Sequence, residues 1–418
     1  MTEHVLGFGI DFGTSNSLIS IGWADRVEVV NVGSRRVPEN LPSVIYLAAD
    51  GNRAAGDDAL EQYLVSAGVN SRLLIGIKSD LSDPRFMGTS SWGLSWTTPE
   101  LVAVVLRRLR SSVESGAHSP SRVVLGHPVA FAGTEGADFE TLQGLAMQRL
   151  TDAAQIAGFE TVDTLEEPAA AALDQDLTDG ALVSLDFGGG TFDVAIVDYG
   201  LSEPEVIGLQ GAAIGGERFD ELLFNAKLAT ELGLLDTYVD ESGRPQRLPA
   251  RISAKATRLI NLRTLLFDPL LPDILRRFRR YRGGEKLGRL ESLLYGGLAY
   301  AFYEAVEDAK IRLSTQSHTS IDFHHAAFDL AIPVTRAEFE ALIDPDVQIL
   351  ERTIRRALDE SGISAKSVEK VVQTGGSSTI PLYCDMVRST FPDADLDQRP
   401  PFTTVVQGLG LWAQEVWR

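Results

Sequence analysis

One turn motif occurs twice in this chain of 418 residues, each time between two apolar runs. The first copy is Asp11-Phe12-Gly13-Thr14-Ser15, which lies between the apolar runs 5–10 and 18–21. The second copy is Asp186-Phe187-Gly188-Gly189-Gly190-Thr191, and it is flanked in the same way. Because both copies read strand, turn, strand in the same phase, they predict an internal duplication. We therefore expect two similar lobes.

The rest of the chain alternates between helical and strand-like segments. The segment 99–113 has helix-period apolar spacing, and 123–125 is a short β-branched run. Such alternation predicts an α/β fold, and 418 residues exceed what one hydrophobic core usually serves. We expect lobe I at 1–179, with a peripheral subdomain at about 38–97. Lobe II then takes 180–418, with a peripheral subdomain at about 218–298.

Both copies of the turn are suited to binding a phosphate group. Small residues in a sharp turn let consecutive backbone N–H groups converge on one anion. Each turn also begins with a carboxylate, Asp11 or Asp186. A carboxylate repels phosphate unless a cation such as Mg²⁺ lies between them. One glycine turn alone would be a weak signal, but two in the same phase predict a phosphate and magnesium site.

Two other classes of nucleotide-binding protein are excluded by missing motifs. The chain has no G-x-x-x-x-G-K-[ST], so it is not a P-loop protein. Asp-Phe-Gly also occurs in protein kinases, but neither an H-R-D catalytic loop nor a V-A-I-K strand accompanies it here.

A third glycine cluster is Gln373-Thr374-Gly375-Gly376-Ser377-Ser378, between an apolar run and a helical pattern. Glycines at such a junction allow close approach of a flat or sugar-like group. The same pattern also fits a helix-entry turn capped by serine. The residues alone leave both interpretations open.

Charge and cysteine content restrict partners and compartment. Lys+Arg 38 against Asp+Glu 58 gives a net charge of −20, which repels phosphate backbones and anionic membrane surfaces. We therefore expect neither nucleic acid nor a membrane as partner. Cys384 is the only cysteine, so no internal disulfide can form. We interpret it as a buried apolar thiol, and with no N-terminal targeting pattern we expect a cytoplasmic protein.

Two polar clusters have ordinary explanations. The basic run Arg276, Arg277, Arg279, Arg280 and Arg282 fits a solvated helix face, with an anion or protein-partner site as the alternative. The pair His324-His325 has no Cys or third His near it in sequence, so a strand-to-turn position is favoured over a metal site.

Motifs spread over nearly the whole chain carry a family resemblance. Besides the two turns and Gly375-Gly376-Ser377, they are Glu167-Pro168-Ala169-Ala170-Ala171-Ala172-Leu173, Gly215-Gly216-Glu217-Arg218-Phe219-Asp220 and Glu307-Asp308-Ala309-Lys310. Together they resemble the ATPase domain of the DnaK-type seventy-kilodalton heat-shock chaperones. The resemblance implies a duplicated actin-type ATPase fold, with two lobes around a cleft that binds ATP or ADP with Mg²⁺.

The resemblance also implies nucleotide contacts. Asp11 and Asp186 would hold Mg²⁺ through water. The residues implied to cradle the β- and γ-phosphates are Gly13, Thr14, Ser15, Gly188, Gly189, Gly190 and Thr191. Further nucleotide contacts are implied for Gly215, Gly216 and Glu217, and contacts with ribose or adenine for Glu307 and Lys310, with Gly375, Gly376 and Ser377 beneath.

Catalytic roles are implied in the same way. Lys78 would lie beside the γ-phosphate, although its local pattern alone fits a surface lysine at a strand end. Glu167 would lie near the attacking water, Asp193 is a second candidate base, and Thr191 completes the set.

The chain departs from the family at several positions. The family places adenine between two arginines, whereas these positions are Ile311 and Thr379 here, with Arg312 adjacent to the first. Losing the arginines predicts weaker and less selective base binding. The acidic residue expected after the final proline is Phe402. The string Gly126-His127-Pro128-Val129 and the closing Pro401-Phe402-Thr403 are most similar to the YegD branch, and the end at Arg418 predicts that the client-binding β-sandwich is absent.

Three functions follow as expectations. The first is a chaperone-like slow ATPase or nucleotide-dependent conformational switch, with another protein as a candidate partner through 218–298. The second is a bacterial actin-like filament or scaffold protein, since similar turns occur there. The third is a nucleotide sensor that does not hydrolyse ATP. A sugar kinase of the same superfamily is disfavoured because no separate substrate-base motif stands out.

Overall fold

The computed structural model describes residues 4–34, 37–66, 70–114, 121–134, 138–173, 175, 177, 179–200, 204–256, 262, 265, 268–398 and 403–418. Two compact units divide the chain. Unit 1 comprises Met1–Gly216 and Asp346–Arg418, and unit 2 comprises Glu217–Pro345.

The strands are β1 (Val5–Phe12), β2 (Asn16–Trp23), β3 (Val27–Val29), β4 (Leu41–Pro42), β5 (Ile45–Ala48), β6 (Arg53–Ala55), β7 (Ser71–Leu74), β8 (Gly88–Ser91), β9 (Leu94–Thr97), β10 (Arg122–His127), β11 (Thr161–Glu166), β12 (Ala181–Phe187), β13 (Phe192–Asp198), β14 (Glu205–Ala212), β15 (Tyr238–Val239), β16 (Pro245–Gln246), β17 (His318–His325), β18 (Phe328–Thr335), β19 (Val368–Thr374) and β20 (Asp395–Gln398).

The helices are α1 (Asp57–Ser66), α2 (Thr98–Val113), α3 (Phe139–Ala157), α4 (Glu167–Leu173), α5 (Gly216–Lys227), α6 (Ala250–Ala256), α7 (Leu271–Phe278), α8 (Leu287–Tyr295), α9 (Ala299–Thr315), α10 (Arg336–Ser361), α11 (Pro381–Thr390) and α12 (Thr404–Trp417). Mixed sheets with helices between them confirm the predicted α/β class.

Two sheets of unit 1 share one topology. The first has the order β11-β10-β1-β2-β3, and the second has the order β20-β19-β12-β13-β14. The centre of each sheet is an antiparallel hairpin, β1–β2 or β12–β13. Two strands parallel to the first hairpin strand lie on one side of it, and one strand antiparallel to the second hairpin strand lies on the other side. Each hairpin turn is one copy of the repeated motif. The internal duplication is therefore present in strand order and direction.

The central strands are buried because both faces of each sheet are covered. All seven residues of β12 are buried, which is typical of a strand between two layers. Apolar side chains of α2 and α3 pack with β1 and β10 in one core cluster. The sequence segment 99–113, predicted as a helix, forms α2, and its Thr97 and Glu100 make a reciprocal capping box.

The helix α12 packs against β1 and α4 through small residues. Leu409 and Ala413 of α12 share a core cluster with Ala170 of α4. A Cβ atom placed on Gly408 would lie 1.8 Å from the backbone oxygen of Ala170, and one on Gly410 would lie 2.8 Å from Ser20 Oγ. These glycines are needed because the helix axis lies too close to its neighbours for any side chain.

Unit 2 is built around helices with aromatic contacts in its core. The rings of Phe224 on α5 and Phe302 on α9 meet edge to face at 6.3 Å, and Phe302 meets Phe323 of β17 at 5.1 Å. The helix α9 thereby joins α5 to the β17–β18 hairpin. Residues of α10 up to Pro345 belong to this unit, and those from Asp346 belong to unit 1.

Replacing Gly408 by alanine tests the close packing of α12. We expect Gly408→Ala to lower the free energy of unfolding by about 1–3 kcal/mol, because the new methyl group overlaps a backbone oxygen. The matched control is Gly144→Ala in α3, where a Cβ meets nothing within 4 Å. Gly144→Ala should have a free energy of unfolding up to about 1 kcal/mol higher than that of the parent protein. Denaturant unfolding measures both, and equal effects would contradict the packing argument.

Candidate functional site

The two copies of the repeated turn lie against each other in unit 1. A Cβ atom on Gly189 would lie 2.7 Å from Ser15 Oγ, and one on Gly190 would lie 2.6 Å from Thr14 Oγ1. A side chain at either glycine would therefore require the Thr14 or Ser15 hydroxyl group to move. Ser43 stabilises the first turn, because its Oγ donates to the Gly13 carbonyl oxygen at 2.7 Å.

A buried ion pair lies in the same unit. Lys78 Nζ is 2.6 Å from Glu167 Oε1, and both side chains are buried. Lys78 lies in a 3₁₀ turn, Ile77–Asp80, which begins after Gly76 in the left-handed region with φ of 66°. Glu167 is the first residue of α4. Lys78 is therefore enclosed, and the surface-lysine interpretation of its local sequence is wrong.

Asp193 has one satisfied and one free carboxylate oxygen. Its Oδ1 accepts from the backbone N–H of Val129 at 2.8 Å, while its buried Oδ2 has no hydrogen-bond partner among the described residues. The Thr191 side chain acts to lower the pKa of this carboxylate, against the larger effect of burial. Asp193 is opposite Asp186 across the β12–β13 hairpin. A buried acceptor without a donor is costly and indicates that a ligand or water completes it.

The third glycine cluster contacts the second turn. Thr374 Oγ1 donates to Asp186 Oδ1 at 2.9 Å, and Ser377 Oγ donates to the Gly188 carbonyl oxygen at 3.2 Å. Gly375 has φ of 84°, and a Cβ there would lie 2.2 Å from the Phe187 carbonyl oxygen. The N-cap of α11 is Ile380, which makes no side-chain capping bond. The cluster therefore contacts the second turn and also forms the 3₁₀ turn that leads into α11, without a serine side-chain cap.

Gly215 and Gly216 approach the same turn from β14. The Gly216 N–H donates to the Gly188 carbonyl oxygen at 3.0 Å. A Cβ on Gly215 would lie 2.3 Å from the Gly189 carbonyl oxygen. The second turn is thus surrounded by backbone from two further segments, both of them glycine-rich.

Negative charge dominates this site. Burial raises the pKa of Asp11 well above its usual range, and the Glu167 carboxylate raises it further. Burial and Glu167 likewise raise the pKa of Asp186 to about 6 and that of Asp193 well above its usual value. Burial acts to lower the pKa of Lys78, but attraction to Glu167 and Asp11 outweighs it and the pKa is raised. Four carboxylates therefore face one ammonium group.

This arrangement fits a divalent cation. Carboxylate oxygens are the ligands that Mg²⁺ prefers, and a bound cation would oppose the burial and the neighbouring Glu167 charge that raise these pKa values. Among the described residues, no three His, Cys, Asp or Glu side chains converge closely enough to hold an ion directly. The expected contact of Asp11 and Asp186 with Mg²⁺ is through water.

Three residues expected to contact the nucleotide, Glu217, Glu307 and Lys310, form a cluster in unit 2. Lys310 Nζ is 2.8 Å from Asp220 Oδ2, and both side chains are buried. Burial raises the pKa of Glu217 to about 8 and that of Asp220 to about 7, with Asp220 and Glu307 among the neighbours that contribute. Glu217, Glu307 and Lys310 are thus brought together, with Asp220 as the ion-pair partner of the lysine.

The positions that depart from the family have their own surroundings. Ile311 is 55% exposed on α9. Its neighbour Arg312 donates to Thr319 Oγ1 at 2.8 Å and to the Ser320 carbonyl oxygen at 2.7 Å, so its guanidinium is committed to β17. Thr379 is exposed at the end of a 3₁₀ turn. Pro401 and Phe402 lie outside the described residues.

Three functional candidates were missed because their signals are weak. Thr374 precedes the glycines of the third cluster, Asp220 ends the Gly-Gly-Glu-Arg-Phe-Asp string, and Val129 contributes only its backbone. Asp220 could have been found as the second acid of its motif. A backbone N–H donor has no sequence signal.

The two polar clusters and the cysteine are unremarkable in position. His325 ends β17, and His324 lies 3.5 Å from exposed Asp329, as the strand-to-turn interpretation predicts. Of the basic run, Arg276 and Arg277 lie on the exposed side of α7, and Arg279, Arg280 and Arg282 are exposed just after the helix ends. Cys384 is half-buried, and burial raises the pKa of its thiol.

No helix in the described part of the chain combines the length and apolar character needed to cross a membrane. The family model described as Hsp70 protein matches residues 73–242 and 299–405, which together make up more than half of the chain. The matched segments contain Lys78, Glu167, Asp186, Asp193 and Lys310. From this match, the duplicated sheets and the meeting turns, we conclude that the chain belongs to the Hsp70 family, whose nucleotide-binding ATPase domain has the actin-like fold.

Proposed function

We propose that this protein is a slow Mg-ATP hydrolase that works as a nucleotide-dependent conformational switch, in a YegD-like branch of the Hsp70 family. The observation that carries the proposal is the buried Lys78–Glu167 pair at 2.6 Å, in the unit where the two glycine turns meet. A buried ion pair is expensive unless it is fully compensated. Its retention beside three further carboxylates favours a catalytic role over a structural one.

The meeting turns supply the proposed phosphate site. Backbone N–H groups around Gly13 and Gly189, with the hydroxyls of Thr14, Ser15 and Thr191, are the donors available to the β- and γ-phosphates. The chain carries a net charge of −20, so these donors must act locally against the overall field. Asp11 and Asp186 would hold the cation, which when bound neutralises phosphate charge.

Three side chains are proposed to act on the chemical step. Lys78 places an ammonium group where charge accumulates on the γ-phosphoryl group. Asp193 keeps a free oxygen that can accept a hydrogen bond from the attacking water. Glu167 holds Lys78 in place and contributes a second acceptor near the water.

Removing either metal-shell carboxylate should weaken Mg-ATP binding sharply. Asp11→Ala and Asp186→Ala each remove a water-mediated acceptor and leave phosphate charge uncompensated, so we expect a loss of at least about tenfold in affinity. Calorimetry with and without Mg²⁺ measures this. The control is Asp25→Ala, whose side chain is 78% exposed. Unchanged magnesium-dependent affinity in both variants would refute the assignment.

Removing the lysine should affect chemistry more than binding. We expect Lys78→Ala to lower turnover by roughly two orders of magnitude, about 2.7 kcal/mol, with ADP affinity nearly intact, because the ammonium acts on charge that develops in the transition state. Glu167→Gln should have a smaller effect of the same kind. Single-turnover hydrolysis gives the rate and ADP titration gives the binding.

The exposed Lys366 provides the matched control for this prediction. Lys366→Ala should hydrolyse ATP at the parent rate. A parent rate in Lys78→Ala would show that Lys78 is structural only. A parent protein that binds ATP without hydrolysing it would instead be a nucleotide sensor, and ATP-dependent sedimentation would indicate a filament.

Base selectivity should respond to an added arginine. We expect the parent to bind ATP with only a weak preference over GTP, because Ile311 and Thr379 provide no cation for stacking. Ile311→Arg should raise ATP affinity by roughly twofold to thirtyfold, the range for one cation–π contact. The control is Ile156→Arg, at an isoleucine that is 43% exposed. Calorimetry that found strong ATP selectivity in the parent would count against the prediction.

A further inference from the structure

We propose that Arg149 is a positioning residue for Lys78, acting through the backbone of the segment that carries the lysine. The inference rests on the proposed function, because it assumes that the place of Lys78 matters for hydrolysis. It is carried by the hydrogen bonds from Arg149 to the protein backbone.

Arg149 is a buried charge that forms no ion pair within 4 Å among the described residues, although its attraction acts to lower the pKa of the Asp80 and Asp83 carboxylates. It lies on α3 and is only 6% exposed, between the buried residues Ala146, Leu150 and Ala153 of the same helix. A guanidinium so placed is costly unless its donors are satisfied. An apolar side chain would suit this helix face better if packing were its only task.

The guanidinium is satisfied by backbone carbonyl groups of one segment. Arg149 Nη1 lies 3.2 Å from the Asp80 oxygen, 2.8 Å from the Leu81 oxygen and 3.0 Å from the Asp83 oxygen. Its Nη2 lies 3.8 Å from Met87 Sδ. One side chain thereby holds three carbonyl groups within four residues.

These carbonyl groups follow directly after Lys78. The lysine lies in the turn Ile77–Asp80, and the Leu81 N–H donates to the Lys78 carbonyl oxygen at 3.2 Å. A 3₁₀ turn has poorer hydrogen-bond geometry than an α-helix, and the carbonyl groups at its end lack partners within the turn. The Asp80 and Asp83 carbonyl oxygens also accept from the backbone N–H groups of Asp83 and Phe86, at 3.3 Å and 3.1 Å. Arg149 adds a donor to both of them and to the Leu81 carbonyl oxygen, so it ties together the end of the turn from which Lys78 projects toward Glu167.

A cavity beside Arg149 makes this inference testable by chemical rescue. It has a volume of about 680 Å³ and is lined by Arg149, Met87, Pro99, Asp152 and Ile156 among others. Truncating the arginine would extend this cavity to the three carbonyl groups. A small guanidinium compound such as methylguanidinium could then enter and donate in place of the lost side chain.

The main experiment measures hydrolysis in Arg149→Ala with and without methylguanidinium. We expect the single-turnover rate to fall about tenfold with little change in KM for ATP, because a misplacement of about 1 Å can cost about a hundredfold and the expected displacement is smaller. Arg149→Lys should recover part of the rate, and methylguanidinium should restore Arg149→Ala toward the parent. The control is Arg107→Ala, which loses one bond to the Ile156 carbonyl oxygen and should neither slow nor respond.

Amide hydrogen exchange on the same variants gives a readout that does not need activity. Arg149→Ala should exchange faster at residues 77–83, and methylguanidinium should reverse the change, while the rest of unit 1 keeps its parent protection. Faster exchange throughout unit 1 would show a general loss of stability and overturn the proposal. The proposal would also be overturned if Arg149→Ala exchanged faster at residues 77–83 but hydrolysed ATP at the parent rate.

The two proposals can fail separately. A parent protein without hydrolysis would end the ATPase proposal, and local, reversible exchange at 77–83 would then still support Arg149 as the residue that holds the lysine turn. A parent that hydrolyses ATP together with unchanged exchange and rate in Arg149→Ala would end the inference about Arg149 alone.

Discussion

The close contact between the two repeated turns is the constraint on which the site depends. Gly189 and Gly190 lie so near Thr14 and Ser15 that any added Cβ would overlap a hydroxyl oxygen. Two hairpins from two sheets of the same topology must therefore meet at one point. The polar backbone that converges there needs an anion, and the carboxylates at the leading edges need a cation. Mg-ATP, the proposed ligand, would satisfy both requirements at once.

The repeated motif predicted this arrangement because it contains both periodicity and chemistry. A turn of small residues between two apolar runs is a local pattern, and the α/β class follows from alternation of segments such as 99–113 and 123–125, which form α2 and β10. Local patterns do not report long-range contacts. The pairing of Lys78 with Glu167 spans 89 residues, and only the family resemblance brought these residues together in advance.

Other parts of the site could not be predicted from sequence for physical reasons. The Val129 donor to Asp193 is a backbone N–H, which every non-proline residue has. The sequence of the third glycine cluster fits a helix-entry turn equally well, and its contacts with the second turn, such as the 2.2 Å approach of a Cβ on Gly375 to the Phe187 oxygen, appear only in the fold. The enclosure of Lys78 is also invisible locally, since its neighbours resemble those of a surface lysine.

Burial of charge connects the site to its support. Lys78 is kept in a buried position by its ion pair with Glu167, and the turn that carries it is held by a second buried cation, Arg149, which donates to three backbone carbonyl groups. Each arrangement costs desolvation energy that an apolar core would avoid. A fold that needed only stability would replace both with aliphatic side chains. Their presence on either side of one short 3₁₀ turn indicates that the direction of the lysine side chain is what this part of the structure maintains.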